Sequence, residues 1–466
     1  MAADDPTPIP TPADPAAPPT TRRRRWWSLS LRGLMILVLL IGGLIGWEVD
    51  RVGRMRRAIA VLRTNPDDSP EGPPGDGRVL TIGGRVDRAE VMYDDERWDG
   101  RYVPASRPAW LDRVVGGDHF HRVSAVRLAR RPTPADWAAL ASFPALQELD
   151  LNGIDLGDDD LAGLANCPHL RELSLGSTEA TDRVMPRVGA LRDLRVLDLR
   201  QTVVTATGLA PVARLARLEE LHLDDRAAND AGLAHLAGLA NLRVLDAWGL
   251  HAEVSDVGLA HLRGLAQLEE FRCHARGVTD AGVATLVALP WLRALQLNPS
   301  FEHLDEAFRL TPAGVEQLGR FPRLEELTLD AMLQADDSWV RAIARIGTLR
   351  RLEITGQQIT DTGLAPLGGL TKLEELRISS PKVTDAGLAH LEPLASLTRL
   401  SFYARVTPEG AARFGATHPK LGPIRTDPWP SAPAPGDPNY VPDLPFLQPL
   451  PPAPPAPPRR GLPPGP

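Results

Sequence analysis

A leucine frame that returns about every 24 residues constrains this chain more than any other feature. It reads Leu146-x-x-Leu149-x-Leu151, then Leu170-x-x-Leu173-x-Leu175, Leu194-x-x-Leu197-x-Leu199 and Leu218-x-x-Leu221-x-Leu223. Further copies begin at Leu242, Leu268, Leu292, Leu324, Leu349, Leu373 and Leu397, and a degenerate copy stands at Val123-x-x-Val126-x-Leu128. A fixed period of this size means a solenoid, a stack of like units in which each buries its apolar face on its neighbours. The 466 residues exceed what one ordinary core serves, and a repeat array escapes that limit.

Each Leu-x-x-Leu-x-Leu segment is too short for a helix and predicts a strand whose leucines enter the core while the residues between them face water. A helix start follows, as at Asn229-Asp230-Ala231-Gly232, Ser255-Asp256-Val257-Gly258, Thr279-Asp280-Ala281-Gly282, Thr360-Asp361-Thr362-Gly363 and Thr384-Asp385-Ala386-Gly387. The Thr, Ser or Asn is expected to accept from an amide of the first turn, and the Asp to sit at the positive end of the helix dipole. Thr133-Pro134, Thr311-Pro312 and Thr407-Pro408 use proline as the first helical residue instead. The glycine has no helical benefit and is assigned to close packing between neighbouring helices. Strands stack about 4.8 Å apart and helices are about 10 Å wide, so the layers must bend, with strands on the concave side. The expected fold is an α/β solenoid of about twelve units over residues 119–421.

The amino-terminal region reads differently. Residues 1–25 form a proline-rich tail with no apolar periodicity and end in Arg22-Arg23-Arg24-Arg25. Residues 26–48 are expected to be a transmembrane helix: Trp27 and Trp47 bracket a length of about 30 Å, which suits the two interfacial belts. A cleaved signal peptide fits less well, because Ala58-Ile59-Ala60 comes only after a charged stretch. Residues 49–66 predict a juxtamembrane helix, and 67–118 a small cap for the first repeat, with a strand candidate at Glu90 to Tyr93. Arginines flank the apolar segment on both sides. The undiluted tetrad favours an inside amino terminus in the cytoplasmic membrane and exported repeats, with cytoplasmic repeats as the alternative.

The frame with its Thr-Asp-Ala-Gly-Leu helix start resembles leucine-rich repeat proteins of the ribonuclease-inhibitor-like, bacterial type. The arginine-tryptophan anchor, with Tyr93-Asp94-Asp95-Glu96 and Pro108-Ala109-Trp110-Leu111-Asp112 beyond it, resembles membrane-anchored bacterial members. The resemblance implies binding rather than catalysis. One departure is plain: the asparagine that many such repeats place after the strand is replaced by Ile154, Thr178, Thr202, Arg226 and Gln357, so its ladder of turn hydrogen bonds must be replaced too.

The chain carries a formal charge of -7 and no basic stripe with interleaved aromatics, which argues against nucleic acid as a partner. It contains no phosphate-binding glycine loop, no metal-ligand spacing and no Gly-x-Ser-x-Gly elbow, so no cofactor is expected. An enzymatic reading would rest on Asp94, Asp95, Glu96, His119 and His121, which lack a nucleophile. Cys167 and Cys273, far apart in a solenoid, are expected to stay unpaired.

The better lead is the strand face. Its outward positions give Asp198 and Arg200, His222 and Asp224, Asp246 and Trp248, then Arg272 and His274. A solvated sheet face explains the charges alone. A tryptophan among them has the composition of a binding hot spot, unless it packs on a neighbouring strand. A second lead is the step from Leu292 to Leu324, 32 residues long, whose surplus lies in 298–308. Residues 422–466 are a proline-rich tail. The sequence thus implies a non-enzymatic, membrane-anchored protein that binds a protein or cell-envelope ligand on its concave strand face, or, alternatively, a scaffold or adaptor facing the cytoplasm.

Overall fold

The computed structural model describes residues 50, 53–54, 57–58, 61, 90–93, 123–128, 130–249, 254–275, 277–298, 309–330 and 335–428. The expected membrane segment 26–48, the carboxylates and histidines of the enzymatic reading, and residues 299–308 of the insertion lie outside them. The chain divides into two compact units, Met1–Gly53 and Arg54–Pro466, and the repeats belong to the second. Among the described residues no helix is long and apolar enough to cross a membrane.

The leucine frame forms strands as the sequence predicts. β1 (Glu90–Tyr93) pairs antiparallel with β2 (Val123–Arg127), at the edge of the sheet where the first repeat begins. From there every pairing is parallel and sequential, through β3 to β7 (Glu148–Asp150, Glu172–Ser174, Val196–Asp198, Glu220–Leu223, Val244–Ala247) and β8 to β10 (Glu270–His274, Ala294–Asn298, Glu326–Asp330). The sheet closes with β11 to β14 (Arg351–Thr355, Glu375–Thr384, Arg399–Arg405, Arg425–Pro428). Equivalent leucines stand in register, Leu197 beside Leu221 and Leu221 beside Leu245, and all three are fully buried. One continuous apolar core runs from Val123 to Phe414, and Ala58 joins it. A long array therefore needs no single large core, because each frame is sealed by the next. The expected end of the repeats at 421 falls short: β14 pairs with β13 inside the stretch that composition assigns to the tail, and Pro428, which has no N–H to donate, is its last residue.

The helical layer is less regular than predicted. Units such as Asp280–Leu286 and Pro312–Leu318 form short α-helices, whereas Thr207–Arg214 and Thr362–Gly369 wind as 3-10 helices around Pro211 and Pro366. A proline inside so short a helix removes a donor, and the tighter turn tolerates it. The predicted caps do form, with Asn229 accepting from Gly232, Ser255 from Val257 and Thr384 from Ala386.

Where an aspartate follows the cap of an α-helix it sits in the first helical turn, as expected, and there, as in other units, it has a second role as well. Its carboxylate reaches the next unit and accepts from both the amide and the hydroxyl of the Thr or Ser cap there. Asp158 holds Thr181, Asp182 holds Thr205, Asp230 holds Ser255 and Asp256 holds Thr279; Asp280, Asp337, Asp361 and Asp385 hold Thr311, Thr360, Thr384 and Thr407. The hydroxyl bonds span 2.5 to 2.8 Å and the amide bonds 2.7 to 2.9 Å. This is the ladder that replaces asparagine. It also explains the glycine: a Cβ at Gly258, Gly282, Gly314 or Gly363 would lie 1.9 to 2.3 Å from the carboxylate oxygen of the preceding Asp. The glycine therefore serves close packing between neighbouring helices, as expected, because the carboxylate it makes room for is carried by the first residue of the preceding helix.

Candidate interaction face

Alternation along the strands turns three positions of each frame away from the core. Register lines them up as rows. The first row carries Glu148, Glu172, Val196, Glu220, Val244 and Glu270, with each residue opposite the next. The middle row carries Asp150, Ser174, Asp198, His222, Asp246 and Arg272 in the same way. The third lies one step beyond, with Arg200, Asp224, Trp248 and His274. Of the eight residues singled out by the sequence, Asp198, His222, Asp246, Arg272 and His274 lie on β5 to β8, and Arg200, Asp224 and Trp248 lie just past the ends of β5, β6 and β7.

Two of the eight are not surface groups. Asp198 is buried under Arg200, whose guanidinium donates to both carboxylate oxygens at 2.6 and 3.0 Å, while the Arg200 amide donates at 3.0 Å. Burial alone would raise the Asp198 carboxyl, but these bonds outweigh it and hold the group below its ordinary range. His274 is fully buried. Its Nδ1 meets the Gly249 carbonyl, and burial lowers its pKa against the pull of that bond and of Asp225 and Asp246. The expectation that His274 faces solvent is therefore wrong. Parity turns a side chain out of the core but does not control what the neighbouring unit lays over it.

Trp248 is half-buried and leans on the His274 ring, with centroids 4.2 Å apart at 51°. It packs on the neighbouring strand and leaves only part of its surface free. Around it, His222 Nδ1 lies 3.5 Å from Asp246 Oδ2, and the Gln201 amide donates to Asp224 at 2.7 Å. Burial raises the Asp224 carboxyl against the hydrogen bonds it accepts from the Asp225 and Gln201 amides. Arg272 is bound to Glu270 of its own strand at 3.0 Å.

The expected site omits the first row, which holds the sharpest electrostatic feature. Glu148 and Glu172 stand directly opposite each other, and among the described residues neither they nor Glu220 has a cationic partner. Burial raises both carboxyls, and repulsion raises them further: Glu172 and Asp150 act on Glu148, and Glu220 acts on Glu172. The carboxyl-terminal part of the same face is neutralised. Arg351 bridges Glu326 at 2.5 Å and Glu375 at 3.0 Å, Arg399 also meets Glu375, and Arg377 lies 3.4 Å from Glu353. The signal was in the frame, since the residue just before its middle core position is Glu148, Glu172, Glu220, Glu270, Glu326 and Glu375.

The family follows from fold and sequence together. The profile described as leucine-rich repeat region matches residues 128–416. The chain belongs to the leucine-rich repeat proteins. Solved structures of similar fold include an internalin, InlF, from Listeria monocytogenes, at 16% identity over 67% of this chain and 92% of that one, with a TM-score of 0.42. A leucine-rich repeat protein of Leptospira interrogans is 18% identical over 61% of this chain and 74% of its own, with a TM-score of 0.38. Comparison with curated protein sequences finds no match. Leucine-rich repeat domains are in general non-enzymatic modules that bind proteins. Among the described residues no group of His, Cys, Asp or Glu side chains is arranged to hold a metal ion. Cys167 and Cys273 are buried free thiols, and burial pushes Cys167 up to about 11 and Cys273 higher still, far from reactive thiolates.

Proposed function

We propose that this leucine-rich repeat protein binds a partner protein through the outward strand face of β3 to β8, and that the partner presents a basic segment to it. The observation that supports this is the stack of glutamates without counter-ions, Glu148, Glu172 and Glu220, on a face whose other half pairs its own charges. Like charges opposed across strands destabilise a sheet, so an arginine- or lysine-rich partner would relieve a cost that the free protein carries. Trp248, Asp246, His222, Asp224 and Arg272 flank the stack, and the exposed part of Trp248 offers an apolar contact beside it. Residues 26–48 would anchor the chain in the cytoplasmic membrane with the repeats facing outward, which the arginine tetrad and the bracketing tryptophans support.

Affinity capture from membranes tests the binding face. The intact chain and a Glu148→Gln/Glu172→Gln/Glu220→Gln variant are compared, and the co-purifying protein is followed as salt rises. The expected result is a partner that is lost tenfold or more from the variant and that leaves the native chain as screening grows. A partner retained equally by both proteins, with the variant folded by circular dichroism, removes the site from this face.

A further inference from the structure

The ladder of carboxylates has gaps, and they follow a rule. Where the residue behind the cap is Asp, the next unit begins with Thr or Ser. Where it is Pro134, Ala206 or Pro312, the next cap is Gly157, Asn229 or Asp336 instead. From the second unit on, a hydroxyl cap thus appears only where the preceding unit presents a carboxylate, while Thr133 of the first closes on its own Asp136. At the three gaps the cap closes on its own unit: the Gly157 amide donates to Asp160 at 2.9 Å, Asn229 accepts from Gly232 at 3.1 Å, and Asp336 accepts from Ser338 at 2.8 Å. The slot beside the helix changes too. At Gly232 it is filled by the Ala227 carbonyl of the same unit, and at the last gap the buried indole of Trp339 stands where other units have glycine.

We infer that these gaps are joints: the array consists of rigid blocks that open against one another at Pro134/Gly157, Ala206/Asn229 and Pro312/Asp336. In a stack whose stability is a sum of unit and interface terms, opening starts at the interfaces that lack a term. Each intact link supplies two hydrogen bonds to a charged acceptor; the joints lack that link, and bonds that cross at the first two go to neutral carbonyls, from the Trp137 indole to Asp160 at 2.8 Å and from the Ala206 amide to Arg226 at 3.1 Å. The middle joint runs between β5 and β6. It divides Asp198 and Arg200 from His222 and Asp224, so a partner bound across the proposed face would span both strands and hold it shut.

The test needs no partner, so it stands or falls apart from the proposed function. Strand amides that span junctions are matched in geometry: Glu220 to the Arg195 carbonyl and Glu326 to Arg293 cross joints, while Glu270 to Arg243 and Glu375 to Arg350 cross linked junctions, all at 2.9 Å. Native-state hydrogen exchange on the intact chain should release Glu220 and Glu326 at least tenfold faster than Glu270 and Glu375. Asp256→Ala, which cuts the link to Thr279 but leaves that threonine as a cap, should bring Glu270 to the rate of Glu220. Equal rates at joints and links in the native chain, or an Asp256→Ala protein in which Glu270 is unmoved, would overturn the inference.

Discussion

Glu148 and Glu172 occupy positions that a packed sheet would ordinarily give to a cross-strand ion pair. Their folded pKa values are raised, so the folded state binds protons more readily than the unfolded chain. That contribution is complete below the ordinary glutamate value of 4.5 and is lost as pH rises through the raised folded values. At neutral pH the pair is a cost. Glu148→Gln/Glu172→Gln should therefore stabilise the free protein at pH 7 by a few tenths of a kcal/mol, because solvent screens much of the repulsion. Thermal unfolding at pH 7 and pH 4 checks it, and the gain should vanish at the lower pH. What could be read from residues in isolation divides here. The leucines that enter the core follow from period alone, since burial at those positions is imposed by every neighbour. His274 could not be read that way, because its burial depends on Gly249 and Trp248 of the preceding unit.

Among the elements, the helix starts show how a correct motif can carry an incomplete explanation. Thr360 caps its own helix, as expected, by accepting from the Gly363 amide at 3.4 Å, and it also donates to Asp337 of the unit before at 2.8 Å. Sequence spacing favours the local partner, since a bond that crosses 23 residues has no signature until the stack is built. The glycine tests the arrangement. The three atoms nearest to a Cβ at Gly363 would all belong to Asp337, the closest at 1.9 Å, so Gly363→Ala should destabilise by about 1 to 3 kcal/mol although alanine favours helices. In an Asp337→Ala background the same change should cost far less, and a double-mutant cycle by urea unfolding measures the difference. Additive losses would mean that the slot is not shaped by the carboxylate.

For the molecule as a whole, the fold class and the repeat boundaries were legible because twelve copies average out local irregularity. The proposed binding face was only partly legible: charge stands in every unit, and register decides which charges oppose one another. The placement of the chain in the membrane is a matter for experiment. A reporter fused after Asn65 should report export, and the isolated protein should retain Met35 to Ile45; a cytoplasmic reporter signal would reverse the orientation. One further row carries a constraint on how such a chain can grow or shrink. Just before each strand stand Arg195, Glu219, Arg243, Glu269, Arg293, Glu325, Arg350 and Glu374, and each arginine binds the glutamate after it. The charges alternate, so the sequence repeats in pairs of units although the fold repeats singly. Removing one unit from this stretch would set arginine beside arginine or glutamate beside glutamate, whereas removing two would restore the phase. Insertions and deletions here should be tolerated by parity, in even numbers.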